Sequence, residues 1–206
     1  MDNNIFEMIK KYAKELSEIP GEDKKSWKLM VSLNGRIYET AEGSNLAELK
    51  RSDVAVVAGE SEKHPVERRL LQEGGEIRAI ILSKTPYCRL AARRGMKLVP
   101  ALDDMAQIVG PQAETVRYSE KKIRRALRHG TGCFVRGRYT ISTGRSLFEA
   151  VTALQVLEKS AEVNIKAEVL GGPKPVARVE AKLMRMIYKK KDSKAEAAVK
   201  AEEGRK

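Results

Sequence analysis

Apolar residues recur along the chain with two different periods. Ile5, Phe6, Ile9, Tyr12, Ala13, Leu16 and Ile19 follow helical spacing, and Pro20-Gly21 stops the run, which predicts a helix over 4–19. Residues 27–33 (WKLMVSL) read as a strand. Asn34-Gly35 is the strongest hairpin signal in the chain, and Arg36-Ile37-Tyr38 starts the return strand. Further apolar runs predict strands at 54–57 and 77–82 and brief strands at 97–100, 133–136 and 138–142. Between them lie helical patterns: 64–74 with Pro65 in its first turn, 85–94 closed by Gly95, a short helix over 102–110, and a basic helix over 119–129. Ser146 and Glu149 form a capping-box signature that opens a long helix from Leu147, and 176–190 reads as one more helix.

Helices and strands alternate, yet the Asn-Gly hairpin requires antiparallel pairing. The predicted fold is therefore α/β: a three-layer α/β/α domain over 1–172 with a mixed, largely antiparallel sheet. Residues 173–206 are expected to form a C-terminal helix and a basic, partly disordered tail. A length of 206 residues with 42% hydrophobic content suits one domain with a tail and excludes wholesale disorder. No apolar run reaches the roughly 18 residues of a membrane span. The N-terminus lacks a signal peptide's apolar core, so a cytoplasmic location is expected.

Scarce residues narrow the chemistry. His64 and His129 are the only imidazoles, so one chain cannot build a three-histidine zinc site. Cys88 and Cys133 lack zinc-finger spacing and read as buried thiols. The charge is large: 40 Lys+Arg against 28 Asp+Glu leaves +12. Part sits in 185–206, where eight basic and four acidic residues leave +4, and part in 119–129, with Lys121, Lys122, Arg124, Arg125 and Arg128. A polyanion is the first thought. A tail and one helix face do not make a groove, however, and no aromatic interleaving supports an RNA module, so nucleic acid is not expected as a partner.

The order of motifs resembles the class II aldolase/adducin family from about residue 4 to 165. The strongest segment is 77–110, where Leu82-Ser83-Lys84-Thr85-Pro86-Tyr87 stands at the family's H-T-H-S-P-Y, followed by a helix, a glycine, a short strand and a second helix ending in glycine. Residues 133–150 (CFVRGRYTISTGRSLFEA) are similar to the family's R-N-H-G segment, with Arg136, Gly144, Leu147, Glu149 and Ala150 in register. Residues 40–57 look like its T-P-S-G and D-V-V-V elements, with Thr40, Gly43, Leu49 and Asp53 in place.

The resemblance implies zinc held by three histidines, but those positions carry Leu82, Lys84 and Arg138. The position of the family's catalytic glutamate holds Lys63, and only a one-residue slip would substitute Glu62. The phosphate turn has become Thr40-Ala41-Glu42-Gly43, which exchanges a hydroxyl donor for a carboxylate. Leu127-Arg128-His129-Gly130 mimics R-N-H-G, but its spacing to the next helix is wrong, and His129 reads as a helix C-terminal or surface histidine. No metal is expected, because a site containing Lys84 and Arg138 would repel a cation.

Three readings follow. The first is an aldolase-like fold without zinc chemistry, whose Lys63, Lys84 and Arg138, with Ser61 and Ser83 beside them, hold a sugar phosphate or carboxylate, or which serves in assembly or regulation. The second is a carbon–carbon lyase with a rearranged or metal-free site, in which Lys63 or Lys84, its pKa depressed by neighbouring cations, acts as base or imine-forming nucleophile. The third, a polyanion-binding protein, ranks last. Family members are usually cyclic homotetramers, so the resemblance also implies a homo-oligomer.

Overall fold

The computed structural model describes the backbone of residues 2–57 and 63–203, and side chains as far as residue 190. Helix α1 (Asn3–Glu18) starts at Asp2, whose carboxylate accepts from the Asn4 amide at 2.9 Å. It buries Phe6, Ile9, Ala13 and Leu16, a stripe at helical spacing. Strands β1 (Lys28–Leu33) and β2 (Arg36–Thr40) form the expected hairpin. Asn34 and Gly35 both take positive φ, 51° and 73°, as the tight turn between twisted strands demands.

Strand β3 (Val54–Val57) and helix α2 (Pro65–Gln72) follow. Next come β4 (Ala79–Ser83), α3 (Pro86–Arg94), β5 (Lys97–Leu98) and a π-type turn at Met105–Val109. The chain continues through β6 (Ala113–Val116), α4 (Glu120–Leu127), β7 (Gly132–Val135) and β8 (Thr140–Gly144). Helices α5 (Leu147–Val169) and α6 (Arg178–Glu203) complete it.

The strands make one sheet in the order β3-β2-β1-β4-β8-β7-β6-β5. Among the described residues only β6 and β7 run parallel, and every other pair is antiparallel. Both faces are covered. On one side α1 and α5 pack on Leu29, Val31, Ala79 and Ile81. On the other, α2 and α4 cover Met30, Ile37, Ile80, Leu82 and Ile141. Helix α3 joins the first layer, with Cys88, Ala91, Phe134, Leu157 and Ala161 in one cluster. The three-layer arrangement is therefore present, and β4 is its buried centre, with all five residues inaccessible. Cys88 and Cys133 are free thiols in these cores.

Three local details differ from the pattern-based reading. Strand β6 was not anticipated, because AETV is short and finds its parallel partner β7 through tertiary contact. The short helix expected over 102–110 is reduced to the turn at Met105–Val109. Strand β8 begins at Thr140, two residues late, because a turn around Gly137 (φ 71°) intervenes. In that turn the Arg138 amide donates to the Val135 carbonyl at 3.0 Å and the Val135 amide donates to the Tyr139 carbonyl at 2.8 Å. Arg138 and Tyr139 thus stand on a hairpin tip. At α5, Ser146 Oγ accepts from the Glu149 amide at 3.2 Å. Glu149 answers not to Ser146 but to Arg145, accepting from its amide at 2.9 Å and its guanidinium at 2.7 Å. Among the described residues no helix is long and apolar enough to cross a membrane.

Candidate active-site cleft

The C-terminal end of β4 and the N-terminal end of β8 lie side by side, with Ser83 paired to Thr140. Beyond this edge opens a cleft of about 320 Å³. Ser83 and Lys84 enter it from β4, Arg89 and Arg93 from α3, and Arg138, Tyr139 and Thr140 from the β7–β8 tip. Glu22 and Asp23 close it from the loop after α1. That loop is held tightly: Trp27 Nε1 donates to the Glu22 carbonyl at 3.0 Å, and a Cβ on Gly21 would stand 2.2 Å from the Trp27 ring. Only glycine allows this close approach.

The cations of the cleft are in different states. Lys84 Nζ pairs with Asp23 at 2.8 Å, and this hydrogen bond holds the Asp23 carboxyl below its usual range. Arg89 pairs with Glu22. Arg138 lies over the Tyr118 ring at 4.1 Å, a cation–π contact that fixes its guanidinium at the wall. Arg93 is exposed and makes no ion pair among the described residues. Four cations against two carboxylates leave the rim positive. Inside it, Ser83 Oγ is buried without a hydrogen-bond partner. The N-terminus of α3 adds nothing, because Glu158 already accepts from the Tyr87 and Cys88 amides at 2.8 and 2.9 Å.

The structure brings together Ser83, Lys84 and Arg138 of the residues singled out from sequence. Lys63 is not among those lining the cleft. It pairs with Glu42 at 2.6 Å, both side chains about 70% exposed (71% and 69%). The hydrogen bond from Lys63 to Glu42 holds the amine above the usual lysine range, the opposite of what a base or imine-forming lysine needs. Ser61, like Glu62, lies outside the described residues. His129 is exposed at the end of α4, away from this cleft.

Behind the cleft stands a buried polar cluster that pattern reading missed. Glu67, fully buried on α2, accepts from Tyr139 Oη at 2.7 Å and from Tyr118 Oη at 3.3 Å. His64 Nδ1 is 3.5 Å from Tyr139 Oη. Burial pushes the Tyr139 phenol well up, reinforced by the Glu67 carboxylate, so it stays protonated. Burial also pushes His64 down and favours its neutral form. Beside them, Glu39 accepts from Lys28 Nζ at 3.0 Å and from Arg68 Nη2 at 2.8 Å and Nε at 3.2 Å. One signal was available. The Asn-Gly turn sets Glu39 opposite Met30 and hence on the same sheet face as Lys28. Arg68 arrives from α2, which no local pattern foretells.

The residues at the family's zinc positions are otherwise engaged. Leu82 is 1% exposed within the apolar core, Lys84 is ion-paired with Asp23, and Arg138 is stacked on Tyr118. None presents a lone pair to a metal, so the residues at these positions do not fit zinc. Among the described residues, no three His, Cys, Asp or Glu side chains are grouped to hold a metal ion.

Comparison with solved structures supports the architecture. An L-fuculose 1-phosphate aldolase superposes with a TM-score of 0.80 at 19% identity, covering 92% of this chain and 98% of its own. L-fuculose-1-phosphate aldolase from Thermus thermophilus gives 0.69 at 17% identity, with coverage of 85% and 100%. A sugar-phosphate aldolase from Thermotoga maritima gives 0.58 at 14% identity, with coverage of 82% and 98%. At such identities the likeness is one of fold. No curated protein sequence matches. The family model described as Class II Aldolase and Adducin N-terminal domain, however, matches residues 26–165. The motifs, the sheet and this match together make the chain a member of the class II aldolase and adducin family.

Proposed function

We propose that this family member binds a small anion, a sugar phosphate or carboxylate, in the cleft between β4, α3 and the β7–β8 tip, without zinc-dependent aldol chemistry. The observation that carries the reading is that Lys84 and Arg138 line one cleft, with Ser83 and its buried, unpartnered hydroxyl in the same lining. A phosphate oxygen accepts from ammonium and guanidinium donors, and a cationic rim offsets its desolvation. In this reading Asp23 is an internal competitor that occupies Lys84 until a ligand replaces it. The protein then serves as a ligand-binding or regulatory member of its family, cytoplasmic and assembled as a homo-oligomer. Exposed apolar side chains such as Phe148 (58%) and Leu183 (50%) support an oligomer.

Isothermal titration with inorganic phosphate and with a phosphorylated ketose tests the proposal. Saturable binding is expected. Lys84→Ala and Arg138→Ala should each weaken it about tenfold, the low end for a charged hydrogen bond. Asp23→Asn should strengthen it severalfold, as befits loss of a part-exposed ion pair. Absence of binding, or binding indifferent to both alanine variants, overturns it.

One observation favours a second reading, a metal-free lyase. Tyr139 faces the cleft with its hydroxyl held by buried Glu67, a protonated donor beside a carboxylate. Assays of aldol cleavage on phosphorylated ketoses, with and without divalent metal, decide it: no turnover in either condition dismisses a lyase.

A further inference from the structure

The two basic segments of the chain, separate in sequence, meet at one groove. Arg185 of α6 donates to the carbonyls of Gln107 and Ile108 at 3.3 and 2.8 Å, and Ala181 one turn earlier is fully buried. Gly110, at φ 116°, lets this turn approach the end of α4, where a Cβ would stand 2.5 Å from the His129 carbonyl. The result is an open groove of about 880 Å³ between α6 and the segments around residues 111 and 129. It is remote from the cleft at β4 and shares no lining residue with it.

The lining of this groove is one-sided in charge. Arg128 and His129 come from the turn that follows α4, and Arg178, Lys182 and Lys190 from α6, while no acidic side chain lines it. Arg128, Arg178, Lys182 and Lys190 are exposed and make no ion pair among the described residues. Elsewhere basic side chains such as Arg69, Arg94, Arg124, Lys159 and Lys166 are matched with glutamates. Lys121 on α4 shares the face of Arg128 by i, i+7 spacing and extends the track, while Arg125 between them is paired with Glu114 at 3.9 Å. Unpaired like charges repel and are retained at a cost in stability, so their concentration marks a surface with an external counter-charge.

We infer that this groove binds duplex nucleic acid through its phosphate backbone. Arg178 to Lys190 spans about 18 Å of helix, the length of about five phosphates along one strand. A single small anion would engage only one or two of these cations. No Phe, Tyr or Trp side chain lines the groove to stack a base, so contact is mainly with phosphates and independent of sequence. Pattern reading set nucleic acid aside because a basic tail and one helix face do not make a groove and no aromatic interleaving supports an RNA module. In the fold, Arg178 and Lys182, outside both basic runs, join Arg128 and Lys190 to line one.

Fluorescence anisotropy with a 20-base-pair DNA duplex of arbitrary sequence, at 50, 100 and 200 mM KCl, tests the inference on the full chain. Contacts to about five phosphates predict a log–log salt slope near −4.5, hence roughly a five-hundredfold loss of affinity across that range. The triple variant Arg178→Ala/Lys182→Ala/Lys190→Ala removes three of those contacts and should bring the slope to about −2. The equally charged control Lys10→Ala/Lys11→Ala/Lys14→Ala on α1 should bind as the parent does. Circular dichroism confirms that both variants fold. No binding at 50 mM KCl, equal weakening by the two triples, or an equal affinity for poly-glutamate overturns the inference.

Discussion

Replacing Glu39 with alanine is expected to destabilise the fold by about 3–5 kcal/mol, the usual cost of stranding buried charge. Glu39 is the only acid paired with both Lys28 and Arg68 among the described residues, and all three side chains are no more than 8% exposed. Alanine would leave two cations facing each other in the layer between β1, β2 and α2. Arg68 is already short of acceptors, since its Nη1 is buried without a partner. In a domain of this size the loss corresponds to a fall in Tm of roughly 6–20 °C by differential scanning calorimetry. A drop of less than about 1 kcal/mol would mean that the two cations reach water once the carboxylate is gone.

The same residue dictates a pH dependence. Burial alone would push the Glu39 carboxyl up, but the hydrogen bonds from Arg68 and Lys28 outweigh it and hold the group below its ordinary value of 4.5. Its stabilising contribution is therefore complete above about pH 4.5 and disappears as the pH falls through the lower folded-state value. Glu39→Gln should be less stable than the parent at pH 7, and its stability should decline less between pH 4.5 and 3. Urea denaturation at these pH values reads both effects.

Gly144→Ala is expected to cost up to about 3 kcal/mol, as overpacking at a rigid junction does. Gly144 ends β8 immediately before α5, and a Cβ there would stand 2.5 Å from Glu149 Cβ and 2.7 Å from the Ala150 amide nitrogen. The second contact is backbone, so no side-chain rotation relieves it, and α5 must shift as a body. Helix α5 carries Glu158, which caps α3, and the core residues Leu154 and Leu157. The substitution should therefore lower Tm and weaken phosphate binding together, whereas Lys84→Ala should weaken binding with little change in Tm. A Gly144→Ala protein as stable as the parent would show that α5 can slide at this junction.

Much of the fold was legible because it is written in short-range chemistry. Apolar spacing marks α1, Asn34-Gly35 dictates the β1–β2 hairpin and its register, and Gly95 closes α3 in the left-handed conformation. Family motifs made Lys84, Ser83 and Arg138 candidates for one site, and they share one cleft. Lys63 shows the limit. An ungapped register assigned it to the same site, but its side chain turns out to solvent and Glu42. Glu67 was overlooked because a single charged residue inside an apolar helical face looks like noise until two tyrosines from other elements are seen to bond it.

The sequence by itself determined the α/β class, the antiparallel hairpin, the family, and the absence of histidine from the family's zinc positions. These follow from residue identity and near-neighbour spacing, which the chain carries locally. Tertiary structure alone decided which charges are partnered. It buried Lys28, Glu39 and Arg68 as one unit, and it put Asp23 on Lys84. It also laid α6 on the turn at Met105–Val109, so that its cations and those following α4 line one groove. A charge acquires its meaning from the dielectric around it and the groups within a few ångströms, and neither is a property of its place in the chain.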